Sequence, residues 1–213
     1  MNTGWLFRRR FELLLLSFLV LMFGITFLTT PIAMHVLVTQ NLIAGLLVFY
    51  LHKQLRYVIL SILCFHTFLI FFAGSIPWLQ QHELKPYIYV LYFSLISFQV
   101  YKHIFQSRTV STEMISAVMC GFILLCFIST FIFDNTERMH PNSFSNIGTG
   151  RDQLVNLDYF SVTTLLTTGF GDIVPLTVVA KRYVMLMALL GHFYTVFVTA
   201  IVIGKYLNSK SST

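Results

Sequence analysis

The sequence predicts an all-α membrane protein with six transmembrane helices and one re-entrant helix. Two observations lead to this prediction: the composition, and a series of apolar runs of spanning length. The 213 residues are 56% hydrophobic and 10% charged, with a mean hydropathy of +0.77. Soluble domains are about 25% charged. A chain of this size cannot hide so much apolar surface from water, so its predicted solvent is lipid.

Six apolar runs supply the roughly 20 residues that a spanning helix needs. They cover residues 11–29, 32–51, 57–76, 86–104, 114–133 and 178–207. Pro31 is expected to close the first run and Pro77 the third, because proline cannot continue a helix. The run 154–166 is too short to span, which predicts a re-entrant helix between the fifth and sixth runs.

The basic residues predict orientation rather than a nucleic-acid partner. The formal charge is +6, but most lysines and arginines lie at the ends of apolar runs. If both termini are cytoplasmic, nine basic residues lie inside and five outside, as expected for a multi-pass protein. The first run, which follows Arg8, Arg9 and Arg10, could instead be a signal peptide or a twin-arginine signal, but no A-x-A cleavage site follows it.

A short threonine- and glycine-rich stretch separates the last two long runs. It reads Thr-Thr-Gly-Phe-Gly-Asp over residues 167–172. Glycine allows backbone conformations that would strain other residues, so successive carbonyl groups can point the same way. A ring of such carbonyls can replace the water shell of a dehydrated cation. The stretch therefore predicts a cation-binding loop at the end of the re-entrant helix.

The segment 159–175, YFSVTTLLTTGFGDIVP, resembles the pore region of tetrameric potassium channels. Gly191 follows Pro175 by sixteen residues, where that family usually carries a mid-helix glycine. The resemblance covers roughly residues 154–207. It indicates a six-transmembrane potassium channel that lacks voltage-sensor arginines.

This resemblance implies a selectivity filter over residues 167–172 behind a pore helix at 154–166. It implies that Asp172 braces the filter from behind, towards Tyr159, and that Gly191 is a hinge. Phe170 replaces the usual tyrosine, and Thr163 replaces the glutamate of some members, which puts filter stability and inactivation in doubt. The implied K+-binding residues are Thr167, Thr168, Gly169, Phe170 and Gly171.

The predicted domains are a four-helix transmembrane domain over residues 1–110 and a pore domain over residues 111–213. The first resembles a voltage-sensor domain without its charges. The second contains the outer helix, the pore helix, the filter and an inner helix at 178–207. One chain carries one filter, so a closed ring requires several chains, and a homotetramer is the simplest arrangement.

A polar stripe on the sixth run predicts a water-filled cavity below the filter. His192, Thr195 and Thr199 are spaced i, i+3, i+7 and share one helix face, which Ile203 extends. Polar residues at membrane depth usually face a cavity or a partner. Alternatively, the threonines bond back to their own helix. His192 could titrate near neutral pH or pack as a neutral ring against the pore helix.

The fourth run lacks the charges of a voltage sensor. Residues 86–101 contain no lysine or arginine, and the second and third runs contain no aspartate or glutamate. We therefore predict a channel that is not strongly voltage-gated. The sequence does not choose among several gating mechanisms: gating at the filter, a bend near Gly191, or control by lipid, tension or a separate regulatory protein.

The predicted function is passive, potassium-selective conduction, with K+ as the permeant ligand and no cofactor. Membrane lipids are the other predicted partners. A plasma membrane location is expected, in the bacterial inner membrane, because no N-x-S/T sequon occurs. The alternatives are a subunit of a K+ uptake transporter and a non-conducting auxiliary membrane protein. No enzyme is expected, since no nucleophile–base pair or metal motif is present.

Overall fold

The computed structural model describes residues 9–27, 31–49, 53–72, 85–107 and 110–210. Within these ranges the regular structure is helical, apart from an isolated bridge between Phe144 and Pro175. The described helices are α1 (Arg10–Phe27), α2 (Pro31–Val48), α3 (Lys53–Phe72), α4 (Lys85–Gln106), α5 (Thr112–Met139), α6 (Arg151–Leu165) and α7 (Val178–Lys210).

The lengths and composition of these helices support an all-α membrane protein. Shorter apolar stretches of 10–17 residues lie in α2 and α3. The stretches long enough to cross a membrane, as far as the structure describes the chain, are Ile88–Gln106, Thr112–Met139 and Val178–Leu207. Six transmembrane helices remain a prediction, because the predicted ends at Thr29, Leu51 and Ile76 lie outside the described residues.

Several helix ends differ from the predicted ones. Pro31 is the first residue of α2, where a proline loses no hydrogen bond. Helix α5 continues past Phe133 to Met139, and Arg138 Nε lies 2.8 Å from Asp134 Oδ2 one turn earlier. Helix α6 begins at Arg151, directly after Gly150, whose φ is 61°. Because the residues at these ends are polar, a hydropathy pattern does not include them in the helix.

The described chain forms two compact units. The first contains α1–α4 and the beginning of α5 as far as Cys120. Its buried side chains include Leu14, Phe18 and Tyr92. Polar groups are paired inside it: Asn41 Nδ2 donates to Ser17 Oγ at 2.8 Å, and the Tyr92 hydroxyl donates to the Asn41 carbonyl at 2.7 Å. The unit is thus a helical bundle whose mainly apolar interior contains a few hydrogen-bonded polar groups.

Charged groups meet elsewhere in the first unit, where α1 and α5 begin. Arg10 Nη2 lies 3.0 Å from Glu113 Oε1, and His103 Nε2 lies 3.9 Å from the same oxygen. The Cys120 thiol contacts the Phe11 carbonyl at 3.5 Å. These contacts hold α1, the end of α4 and the start of α5 together.

The second unit contains the rest of α5, the loop that follows, α6, the filter segment and α7. Three aromatic rings form its centre: Phe133 of α5, Phe144 of the loop and Phe160 of α6. Their centroids lie 5.4–5.7 Å apart, and all three side chains are buried. Each ring comes from a different segment, so this cluster fixes the loop and α6 against α5.

Candidate functional site

Helix α6 positions the segment 167–172. Its buried face carries Leu157, Phe160 and Leu165, and Asp152 in the first turn suits the positive end of the helix dipole. The last helical hydrogen bond runs from the Leu166 N–H to the Val162 carbonyl, because Thr167 has a φ of 57°, a left-handed conformation that does not continue a right-handed helix. The chain therefore leaves the helix sharply, and the filter segment begins there.

The filter segment is hydrogen-bonded back to α6. The Thr168 N–H donates to the Thr163 carbonyl at 2.8 Å, and the Gly169 N–H reaches the same oxygen at 3.3 Å. The Thr167 N–H donates to the Thr164 carbonyl at 3.0 Å. These bonds use the N–H groups of Thr167, Thr168 and Gly169 and leave the carbonyl groups of these three residues out of the contact with α6.

Every second residue of the segment has a positive φ: 57° at Thr167, 54° at Gly169 and 82° at Gly171. A Cβ atom built on Gly169 or Gly171 meets nothing within 4 Å. The glycines are therefore required by backbone conformation and not by lack of space. Thr167 adopts the same conformation at a cost of roughly 1–2 kcal/mol, which the bonds to α6 offset.

Tyr159 and Asp172 lie together, and the predicted role of Asp172 in bracing a filter stays a prediction. The ring of Tyr159 stacks on that of Phe170, with centroids 6.4 Å apart and planes 6° apart. A hydrogen bond to the Asp172 carboxylate raises the pKa of the Tyr159 hydroxyl. Helix α6 thus contacts both the side chain of the filter aromatic residue and the acid that follows the filter.

Thr163 lies where some potassium channels carry glutamate. Its side chain is buried, and its hydroxyl donates to the Phe160 carbonyl at 3.1 Å. The Thr163 carbonyl accepts the two filter N–H groups described above. Thr163 thus contacts residues 168 and 169 through its backbone carbonyl.

Gly191 of α7 lies against the end of α6. A Cβ atom at this position would come within 2.7 Å of the Leu165 carbonyl oxygen and 2.8 Å of its Cα atom. Glycine is needed there for close approach of two helices. The hinge predicted at Gly191 stays a prediction, and close packing gives a separate reason for the residue.

The predicted cavity stripe lies on an exposed part of α7. His192, Thr195, Thr199 and Ile203 are all exposed within the described chain. The Thr195 hydroxyl also donates to the Gly191 carbonyl at 3.0 Å, which is the alternative weighed for the threonines. This bond leaves the exposed side chain on the same helix face, and the lining of a cavity stays a prediction.

Two parts of the site were not found from the sequence. Asp158 of α6 lies 3.0 Å from the Thr130 hydroxyl of α5. Glu137 accepts a backbone N–H of the loop that precedes α6, and Asn146 of that loop donates to the Asp172 carbonyl. An acid inside the otherwise weakly polar run 154–166 was the one signal for Asp158. The loop contacts could not be predicted from the sequence, because the residues that they join have no characteristic spacing along the chain.

The Thr130 hydroxyl has two hydrogen-bond partners and one proton. It lies 3.0 Å from the Cys126 carbonyl and 3.0 Å from Asp158 Oδ1. When Asp158 is ionised, its carboxylate can only accept the hydrogen bond from the Thr130 hydroxyl. When Asp158 is protonated, it can donate a hydrogen bond to Thr130, and the Thr130 hydroxyl can then donate to the Cys126 carbonyl. Burial raises the pKa of Asp158 to about 6, so the exchange falls in an accessible pH range.

We expect stability to fall as pH rises through this range. The folded pKa of about 6 lies above the ordinary value of 3.8, so the folded state holds a proton that the unfolded chain releases between pH 4 and 6. The loss amounts to at most about 3 kcal/mol per chain. Thermal unfolding in detergent at pH 4.5 and 7.5 should show this loss in the wild type and not in Asp158→Asn. The matched control is Asp152→Asn, at the exposed start of the same helix, which should keep the wild-type pH dependence.

Residues 118–208 match a family model described as ion channel. The match includes most of α5, all of α6, the filter segment and most of α7. No curated protein and no solved structure matches the chain. The family match covers the second unit and less than half of the 213 residues. It supports an ion channel family for this part of the chain, in a protein whose apolar helices are those of a membrane protein.

Proposed function

We propose that the protein is a potassium-selective channel that conducts K+ passively through a homotetrameric pore. The observation that carries the proposal is the filter segment itself. Residues of positive φ alternate at Thr167, Gly169 and Gly171, and N–H groups are bonded back to Thr163 and Thr164. Alternation of backbone handedness turns successive carbonyls to one side, opposite the N–H groups. Such oxygens suit a dehydrated cation.

The ring itself requires more than one chain. A single segment supplies one oxygen per level, and symmetry-related copies supply the others. Helix α7 supports this arrangement, because most of its apolar side chains are exposed within one chain, including Leu189, Phe193, Val196 and Phe197. Partner subunits and lipid would cover them. His192, Thr195, Thr199 and Ile203 are proposed to face the central cavity.

The proposed orientation places both termini in the cytoplasm and the filter at the outer side of a bacterial inner membrane. The count of basic residues supports it. Six transmembrane helices, with α6 re-entrant, follow from this orientation. K+ is the permeant ligand, and an ion channel of this kind has no enzymatic step.

Reconstitution into liposomes tests the proposal. Liposomes that contain the purified protein and carry an outward K+ gradient should take up a tracer cation. The tracer flux should fall when Na+ replaces K+. Equal flux with K+ and Na+ would indicate a non-selective channel. Absence of flux in correctly assembled protein would favour a non-conducting auxiliary protein.

We expect the channel to show little voltage dependence. Moving one charge through the membrane field supplies about 2.3 kcal/mol per 100 mV, and residues 86–101 of α4 contain no lysine or arginine to move. Macroscopic currents in planar bilayers should change in proportion to driving force between about −100 and +100 mV, with no measurable gating current. A steep conductance–voltage relation that depends on α4 would contradict this expectation.

A further inference from the structure

Glu137 anchors the loop that follows α5. Its carboxylate accepts three backbone N–H groups, from Asn142 at 2.7 Å, Ser143 at 2.8 Å and Phe144 at 3.1 Å. Hydrogen bonds to an ionised acceptor are the stronger kind. Because Glu137 belongs to the last turn of α5, the position of this helix end determines where the loop begins.

The loop then runs beside the chain that leaves the filter. The Leu176 N–H donates to the Ser143 carbonyl at 2.7 Å, and the Ser145 N–H donates to the Val174 carbonyl at 3.0 Å. The Val174 N–H donates to Ser145 Oγ at 2.9 Å. Phe144 and Pro175 form the antiparallel bridge between these bonds. Two short segments therefore pair, one before α6 and one after the filter.

Asn146 extends this pairing to the filter exit. Its Nδ2 donates to the Asp172 carbonyl at 2.8 Å. Asn146 has a φ of 55°, and asparagine is among the few residues that adopt this conformation readily. The Asp172 carbonyl belongs to the peptide directly after the one that carries the Gly171 carbonyl. Fixing one peptide plane restricts the rotation of its neighbour, and with it the last carbonyl of the filter segment.

We propose that Asn146 is a positioning residue for the outermost ion site, and that the segment 143–146 transmits the position of Glu137 to the filter exit. The inference rests on the proposed potassium-channel function. It assigns a role in conduction to a loop outside the filter motif. It also identifies a route, through hydrogen bonds, by which the outer end of α5 can act on the filter.

Asn146→Gly tests the inference, because glycine accepts the positive φ and removes only the side-chain donor. The matched control is Asn142→Gly. Asn142 is exposed, has a φ of 64° and belongs to the same loop; in the described chain only its backbone N–H is recorded in a hydrogen bond. The K+/Na+ permeability ratio should fall about 5-fold in Asn146→Gly, the effect of losing one ordinary hydrogen bond, and should be unchanged in Asn142→Gly.

Hydrogen exchange of the detergent-solubilised wild type gives a second readout that does not depend on conduction. The amides of Val174 and Leu176 should be protected, and protection should fall in Asn146→Gly. A selective wild type with an unchanged permeability ratio in Asn146→Gly would overturn the inference and leave the channel proposal intact. Fast exchange at Val174 and Leu176 in the wild type would overturn it as well. A wild type without K+ selectivity would instead refute the proposed function.

Discussion

Replacing Gly169 with alanine is expected to abolish potassium flux while leaving the chain folded. Gly169 has a φ of 54°, and an L-residue in this left-handed conformation costs roughly 1–2 kcal/mol. The proposed tetramer would carry the change four times around one ring, so the strain would add up at the proposed ion site. The segment is expected to relax by rotating its carbonyls, which removes the ion ligands. Flux from reconstituted liposomes measures the loss.

The matched control is Gly150→Ala. Gly150 has a φ of 61°, and a Cβ atom there also meets nothing within 4 Å, so the substitution also strains the backbone at a positive φ, but outside residues 167–172. Gly150→Ala should lose some stability and keep selective flux. Equal loss of flux in both variants would show that backbone strain anywhere in the unit is sufficient. Wild-type flux in Gly169→Ala would contradict the proposed role of this segment.

Replacing Gly191 with alanine is expected to destabilise the second unit. The added Cβ atom would come within 2.8 Å of backbone atoms of Leu165, and backbone cannot move aside as a flexible side chain can. Overpacking of this kind costs typically 1–3 kcal/mol. Helix α7 must then shift away from α6, whose end carries the filter. Thermal unfolding in detergent should show a lower midpoint, and flux should fall with it.

Gly204→Ala is the control for this substitution. Gly204 belongs to the same helix, and a Cβ atom there meets nothing within 4 Å. Alanine in an open helical position stabilises by about 0.5–1 kcal/mol relative to glycine. The two substitutions should therefore shift the unfolding midpoint in opposite directions. A midpoint raised by Gly191→Ala would show that close packing against Leu165 is not the reason for this glycine.

The helices were predictable from the sequence because lipid imposes a simple pattern. Each apolar run had to form a helix that satisfies its own backbone, and every run has a counterpart among α1–α5 and α7. The ends were less predictable. Residues 134–138 are polar, yet they continue α5, and Arg138 pairs with Asp134 one turn back. The first helix ends before Pro31, as expected, but Pro31 itself is the first residue of the next helix, which was expected to begin at Ile32.

The candidate site was predictable from the sequence only for residues that are close to one another along the chain. Residues 167–172 and Tyr159 could be predicted as site residues because they belong to one continuous motif. The contacts that hold them could not, because they join distant residues. Thr130 and Asp158 are 28 residues apart, and Asn146 and Asp172 are 26 apart. Nothing in their spacing distinguishes them from other polar residues, and the packing of Phe133, Phe144 and Phe160 brings their segments together.

We propose that residues 167–171, whose positive φ angles alternate, select potassium. The reversal potential of single channels in a planar bilayer, with K+ on one side and Na+ on the other at equal concentration, measures this selectivity. The proposed filter predicts a reversal potential displaced strongly towards the K+ equilibrium value in the wild type. A reversal potential near zero, in protein that conducts and assembles normally, would contradict the claim.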